Sequence, residues 1–562
     1  MTEELDQVAK TSLVRKHVCV IGSGPAGMVA SLELAARGCS VTLIESGFET
    51  EEQEPQKLSD AILADASAHA PMADAVHRRW GGTSHLWGGR CVPFNPIDFE
   101  PRPDLHDAIW PIPLESLSIH LTRACAYADC GEAVFSAKAL SDPFEYVPLS
   151  EKFVDGVIRS DSLERWSGSP VMVHRLGALI AQHPRIQRLV GHTCIRVIRD
   201  GQDLVAAVVL VDSLGQSPNE RRVEADTFVL ACGGVETTRI LLHSSSFAGD
   251  LRVDGRVHLG RYYMGHLSGK IASIRLFGDP RRTVYGFERD GAHYVRRRLA
   301  LTDEALREAQ LLNIAFWLDN PPPSDAAHGS GVLSAAYLAM KISFIGKRLA
   351  PNAIRKALIG GQQRTTTWSH VRNVLRTLPS TSGFVLNFLY TRYFCKPRIP
   401  GFFVFSATNT YALHFHAEQL PSAESQITLS AEADALGVPR AAISLRYCRK
   451  DAESVVAAHA VLDSHLRANG IGELMYSDAE EKRVDAVLSQ ARDGFHQIGT
   501  TRMGRNADHG VTDGFGRVFG SENLFVCSSS VFPTSSQANP TLTLLAFAIH
   551  QAEHIAGGVN PS

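Results

Sequence analysis

An α/β core joined to an α+β remainder is the fold class this sequence predicts. Two strand–glycine–helix units, one at the start and one near the middle, carry that prediction together with an apolar helix near the end. His17–Ile21 is a short apolar run of the kind that forms a buried parallel strand. Gly22, Gly24 and Gly27 follow in G-x-G-x-x-G spacing, with Pro25 and Ala26 between the last two. A helix is expected over 25–37, with alanine and leucine on one face; Gly38 ends it, and 41–44 reads as the next strand. The glycines have separable jobs: a tight turn, backbone approach to a pyrophosphate, and close contact between helix and strand. The helix N-terminus then offers free N–H groups and a positive dipole end to phosphates. Glu45 ends the second strand, eighteen positions after Gly27, where a carboxylate accepts hydrogen bonds from ribose hydroxyls. That acid argues against a 2′-phosphate, so FAD or NAD fits better than NADP.

Further along, the segment from Arg78 to Gly89 is glycine-rich and carries Trp80 and Trp87, and its backbone at Gly81 and Gly82 can lie flat against a ring system. Residues 191–228 read as strand, hairpin and strand. Residues 227–231 then lead through Cys232-Gly233-Gly234 into a helix over 235–243, a second strand–glycine–helix unit that returns to the first domain. A strand and turn are expected over 418–430, and a long amphipathic helix over 450–468. Near the end stand His496-Gln-Ile-Gly-Thr-Thr-Arg-Met-Gly504 and then Asn539-Pro540-Thr541, which pair a titratable base with an amide at a turn into the apolar helix Thr541–Ile555.

With 562 residues the chain is long enough for two or more packed units. A formal net charge of −3 and an ordinary apolar fraction give no global sign of nucleic-acid binding. The first sixteen residues carry no apolar signal segment, and no apolar run reaches membrane-spanning length. Ten cysteines are scattered without a C-x-x-C pair, so neither a disulfide scaffold nor a cysteine metal site is expected, and a reducing cytoplasm is the default compartment.

These motifs, in this order, resemble those of the glucose–methanol–choline (GMC) oxidoreductases over nearly the whole chain. The markers are the glycine loop with Glu45, Gly81-Gly-Thr-Ser84, the stretch from Val229 to Arg239, Gly260-Arg-Tyr-Tyr-Met-Gly-His266, Glu418-Gln-Leu-Pro421, the His496 motif and Asn539-Pro-Thr541. A histidine followed later by asparagine is similar to the sugar-oxidising branch that includes pyranose oxidases and fructose dehydrogenases. The resemblance implies FAD on a Rossmann-like domain of discontinuous segments (1–100, 186–300 and 490–562). It also implies a substrate domain with a helix-flanked sheet (101–185 and 301–489). Hydride would pass from an alcohol carbon, here of a sugar or glycoside secondary hydroxyl, to flavin N5. His496 would take the hydroxyl proton and Asn539 would hydrogen-bond the same oxygen, while the helix after Pro540 aims its N-terminus at the flavin pyrimidine edge. It further implies cofactor contacts at Thr83, Ser84, Cys194 (near adenine), Ala231, Gly233, Glu236, Pro540 and Thr541. His266 is read as structural, and no metal is expected.

Pyranose oxidases join a histidine after the Gly-Gly loop covalently to the flavin; in register with Trp87 that position is Leu86 here, with His85 one place early. A one-residue offset reverses side-chain direction in extended backbone, so non-covalent FAD is expected and His85 is read as capping the loop. Residues 326–417 contain eleven Lys or Arg and no Asp or Glu. Their first reading is an enlarged substrate domain with solvated cations and apolar core residues; the alternative is peripheral contact with a membrane, or with an amphiphilic alcohol. Aromatics do not alternate with these cations as a nucleic-acid stacking platform requires. A lyase on the same scaffold is the other alternative. Whether dioxygen, a quinone or a protein accepts the electrons is not legible in the sequence.

Overall fold

The computed structural model describes residues 16–105, 108–141, 149, 156–200, 203–216, 219–244, 252–253, 256–342, 344–346, 366–406 and 408–557. Five strands form an all-parallel sheet in the order Leu524–Val526, Thr227–Leu230, His17–Ile21, Ser40–Glu45 and Ile186–Val190. Four of them are mostly apolar and buried, as parallel strands enclosed in a core are, whereas Gln187 and Arg188 of the edge strand Ile186–Val190 are exposed. The helix expected over 25–37 spans Pro25–Ala36 and packs against the C-terminal helix Thr541–Ile555. Both strand–glycine–helix units meet here. A Cβ on Gly22, whose φ is +104°, would lie 2.5 Å from the Ala231 carbonyl oxygen, and one on Gly27 would lie 1.9 Å from the Gly22 carbonyl oxygen. Only glycine permits that approach.

A second, antiparallel sheet runs in the order Gly472–Tyr476, His266–Leu276, Thr410–Glu418, Ile314–Asp319, His293–Leu301, Ile158–Trp166 and Arg90–Cys91. The helix Arg449–Ala468 seals one face of its core through Ala452, Val455, Ala458, Leu462 and Leu466. His266–Leu276 and His293–Leu301 thus belong to this sheet, although the sequence reading grouped them with the cofactor segment 186–300. The parallel sheet takes its mid-chain strands from 186–230, and the chain changes sheets before His266. The hairpin read over 191–228 forms a small three-stranded sheet of His192–Arg199, Val205–Asp212 and Arg221–Glu224. The strand expected from 418 ends there instead, and the next begins at Gln426.

The acid-free stretch, up to residue 409, falls between two paired strands, Ile314–Asp319 and Thr410–Glu418. Its described helices are Gly331–Lys341, Thr367–Arg376 and Leu378–Tyr393. Of the last two, the fully buried residues are polar: His370, Asn373 and Thr381. Asn373 Nδ2 donates to the Ala326 carbonyl at 2.8 Å and to Ser334 Oγ at 3.2 Å, and the Thr377 and Thr381 hydroxyls lie 2.9 Å apart. Among the described residues no helix is long and apolar enough to cross a membrane.

Candidate active site

One continuous cleft of about 670 Å³ runs from the N-terminal glycine loop to the C-terminal histidine motif. Gly22, Gly24, Pro25, Ala26, Glu45, Gly82, Thr83, Ser84, Cys194, Ala231, Gly233, Glu236, His496, Asn539, Pro540 and Thr541 all line it. Two residues expected to touch a cofactor are not among those lining the cleft. Gly27 is turned into the contact with Gly22, and Gly81, at φ +93°, packs its α-carbon toward Val173. Both shape the walls from behind.

Gly24 at the glycine-loop end, and Pro540 beside Asn539 at the far end, begin two helices whose N-termini lack a side-chain cap. Their first N–H groups are therefore available to an anion or a polar ring edge. A Cβ on Gly24 would meet nothing within 4 Å, so the space above it belongs to the cleft. The Glu45 carboxylate accepts from the Ser23 N–H (3.0 Å) and hydroxyl (2.6 Å) through Oε2 and from the Gly47 N–H (2.7 Å) through Oε1, which fixes it at the wall. Glu236 is held by Arg78 at 3.0 Å. Gln497, next to His496, accepts from the Val235 N–H at 3.0 Å, and a Cβ on Gly234 would lie 2.7 Å from its own Cβ. That contact clamps the C-terminal motif onto the second glycine turn.

At the other end, Asn539 Nδ2 donates to His496 Nε2 at 2.9 Å, while Asn539 Oδ1 is buried without a hydrogen-bond partner. His496 Nδ1 lies 3.0 Å from Asp493 Oδ2 and 3.0 Å from His266 Nδ1. Asp493 also accepts from the backbone N–H groups of Phe495 (2.8 Å), His496 (3.2 Å) and His266 (2.8 Å). Burial alone would raise its carboxyl, but His496 and His266 hold it well below the usual carboxylate range. An ionised Asp493 places the proton of His496 on Nδ1 and leaves Nε2 as an acceptor facing the cleft. His266 Nε2 donates to the Ser535 carbonyl (3.1 Å) and His416 Nδ1 to the Gln537 carbonyl (2.6 Å), with the two rings stacked at 4.3 Å. Burial pushes both imidazoles below the ordinary histidine range. His266, His416 and His496 bring ligand atoms within 4.8 Å of one another, a spacing that suits a metal ion. A metal there would take the nitrogen lone pairs that a base needs.

The sequence reading missed Asp493 and His416. Asp493 stands three residues before His496, so a D-x-x-H spacing was there to be seen. His416 reaches the site only through the register of two antiparallel strands, Leu267 opposite Ala417 and Ser268 opposite His416. No local signal marks it. The Gly82–His85 loop is a 3₁₀ turn rather than extended backbone, so the alternation argument does not apply there. His85 Nε2 instead bonds the Trp80 carbonyl at 3.0 Å, away from the cleft, while Leu86 lines it.

Open space above Gly24, two uncapped helix ends and an orphaned buried amide oxygen fit an elongated dinucleotide with a polar ring at its far end. The chain matches the family described as pyridine nucleotide-disulphide oxidoreductase over residues 16–257 and the GMC oxidoreductase family over 421–548. Paromamine 6'-oxidase of Streptomyces fradiae is 23% identical over 96% of this chain and 91% of its own length. The 6'''-hydroxyparomomycin C oxidase of Streptomyces lividus is 22% identical over the same shares. A fungal aryl-alcohol oxidase shares the fold, with a TM-score of 0.51 and 13% identity over 96% of this chain and 99% of that one. The family matches and these relatives, together with the fold, support an FAD-dependent oxidoreductase acting on CH–OH groups. In that match and in these relatives the chain resembles the GMC oxidoreductases.

Proposed function

We propose that this enzyme oxidises a hydroxyl of a small sugar-like molecule, with His496 as the base and Asn539 as the residue that orients the reacting oxygen. The observation that carries this reading is the 2.9 Å contact between Asn539 Nδ2 and His496 Nε2 at the end of the glycine-loop cleft. An alcohol that displaces this contact gives its proton to Nε2 and accepts from the Asn539 amide. Asp493 holds the imidazole in the tautomer that makes Nε2 basic, and keeps the proton on Nδ1 from moving toward substrate. FAD, when bound, supplies the hydride acceptor. Gly22, Gly24, Pro25, Ala26, Glu45, Thr83, Ser84, Cys194 and Glu236 would hold its dinucleotide part, and Pro540 and Thr541 its ring. The aminoglycoside names of the two Streptomyces relatives support a sugar-like substrate.

FAD is held without a covalent bond in this reading, because His85 is committed to the Trp80 carbonyl. Acid or heat denaturation then releases all the flavin into the supernatant; flavin that stays with the precipitate overturns the point. The parallel sheet with its glycine turns and flanking helices forms the cofactor part in this reading, and the antiparallel sheet forms the substrate part. Anaerobic mixing of the FAD-loaded enzyme with a panel of sugars and alcohols bearing primary and secondary hydroxyls tests the reaction, with dioxygen and a quinone as alternative acceptors afterwards. Bleaching of the flavin band by a panel member is expected. A flavin that stays oxidised across the whole panel would rule the reading out.

A further inference from the structure

We propose that the helical insert is a docking face for an anionic lipid surface. The stretch 326–417 carries eleven cations and no carboxylate. Its outer helices are built inside out. The residues they bury against Gly331–Lys341 are His370, Asn373 and Thr381, whereas large apolar side chains are turned to solvent. Trp368 is 69% exposed, Leu386 68% and Phe394 79%.

These side chains are ordered by helical spacing. Trp368, Arg372, Leu375 and Arg376 fall at i, i+4, i+7 and i+8, and all four are exposed on one face of Thr367–Arg376. Leu386, Tyr390, Tyr393 and Phe394 repeat the spacing on one face of Leu378–Tyr393 and just beyond it. An apolar, aromatic-rich face edged by cations is the pattern of a helix lying in the headgroup–acyl boundary. Lys341, Arg372, Arg376, Lys396 and Arg398 are exposed, and none of them enters an ion pair among the described residues. Anionic phosphates complement this charge. A second copy of the chain does not: a two-fold contact would set one acid-free face against another. The sequence's first reading of this region, with apolar residues forming core, accounts for Leu333 and Tyr337 but not for the outer helices.

The inference is independent of the proposed reaction, since it is read without substrate. The FAD-loaded enzyme is sedimented with phosphatidylcholine vesicles and with vesicles containing phosphatidylglycerol, at low and high salt. Binding to the anionic vesicles alone is expected, falling at high salt as charges are screened. Arg372→Glu with Arg376→Glu should lower the partition coefficient by roughly a hundredfold. Leu386→Asp with Phe394→Asp should abolish binding even at low salt, separating insertion from charge attraction. Flavin absorbance and small-alcohol turnover stay unchanged in all four substitutions. Equal partition onto both vesicle types, or no sedimentation with either, overturns the inference. So does a dimer in sedimentation velocity that the same substitutions dissolve, or capture by an acidic protein with no lipid binding.

Discussion

At the scale of single residues, the site is a chain of fixed proton positions. Asp493 fixes His496, and the Ser535 and Gln537 carbonyls fix His266 and His416 beside it. His496→Ala should lose several orders of magnitude in the rate of flavin reduction while keeping FAD; an unchanged rate in stopped flow would remove the base assignment. Asn539→Ala removes one hydrogen bond to the reacting oxygen and should cost on the order of 10²-fold. Asp493→Asn keeps the shape but loses the charge that sets the tautomer, and a fall on the order of 10²-fold is expected with KM little changed. The same variant has a pH signature. Because the folded-state carboxyl lies below its unfolded value, its stabilisation is complete above about pH 4 and disappears as pH falls through the depressed value. Wild type and Asp493→Asn should therefore differ in melting temperature by a constant amount from neutral pH down to about 4 and converge below it.

At the scale of elements, the two helix-opening glycines of the first unit predict opposite failures. Gly24→Val points into open cleft, so the fold should stand while FAD binding is lost. Gly27→Val drives a side chain into the Gly22 carbonyl, and should cost roughly 1–3 kcal/mol or more of stability. Denaturation of both variants with and without FAD distinguishes them; a stable Gly27→Val would contradict the packing role. This is also where the sequence was most legible. Strand, glycine turn, helix and acid are local features with fixed spacing, and the helix Thr541–Ile555 stands as read. That His266–Leu276 and His293–Leu301 pair into the antiparallel sheet was not legible, for a physical reason. A strand's periodicity reports which of its faces is buried, but not which sheet it joins. His416 escaped for the same reason, since its neighbours are set by register across strands. The insert was noticed by its charge, yet its inside-out packing required knowing which residues the helices bury.

At the scale of the whole molecule, stability should be sensitive to acid. Burial lowers His414, His459 and His550 to about 4 each. The unfolded chain takes up these protons below its ordinary histidine value near 6.5, so stability should decline as pH drops from about 6.5 to about 4. Thermal melts across that range test it; a flat profile would mean these rings are not neutral in the fold. FAD should act in the other direction. The cleft is lined by segments from 21–90, 192–240 and 495–544, and a ligand bound only by the folded form adds about 2.7 kcal/mol when its concentration is a hundred times its Kd. A melting temperature unmoved by added FAD in flavin-depleted protein would count against one shared site.

The parallel sheet has its first strand at His17–Ile21 and its last at Leu524–Val526, with the closing helix later still. During synthesis, then, the opening glycine turn leaves the ribosome hundreds of residues before its far wall exists. A nascent chain can hold no coenzyme in productive form until the segment through Thr541 has been made. Chaperone dependence and flavin supply should therefore govern yield after the helix Thr541–Ile555 is made, rather than while the opening strand and helix emerge.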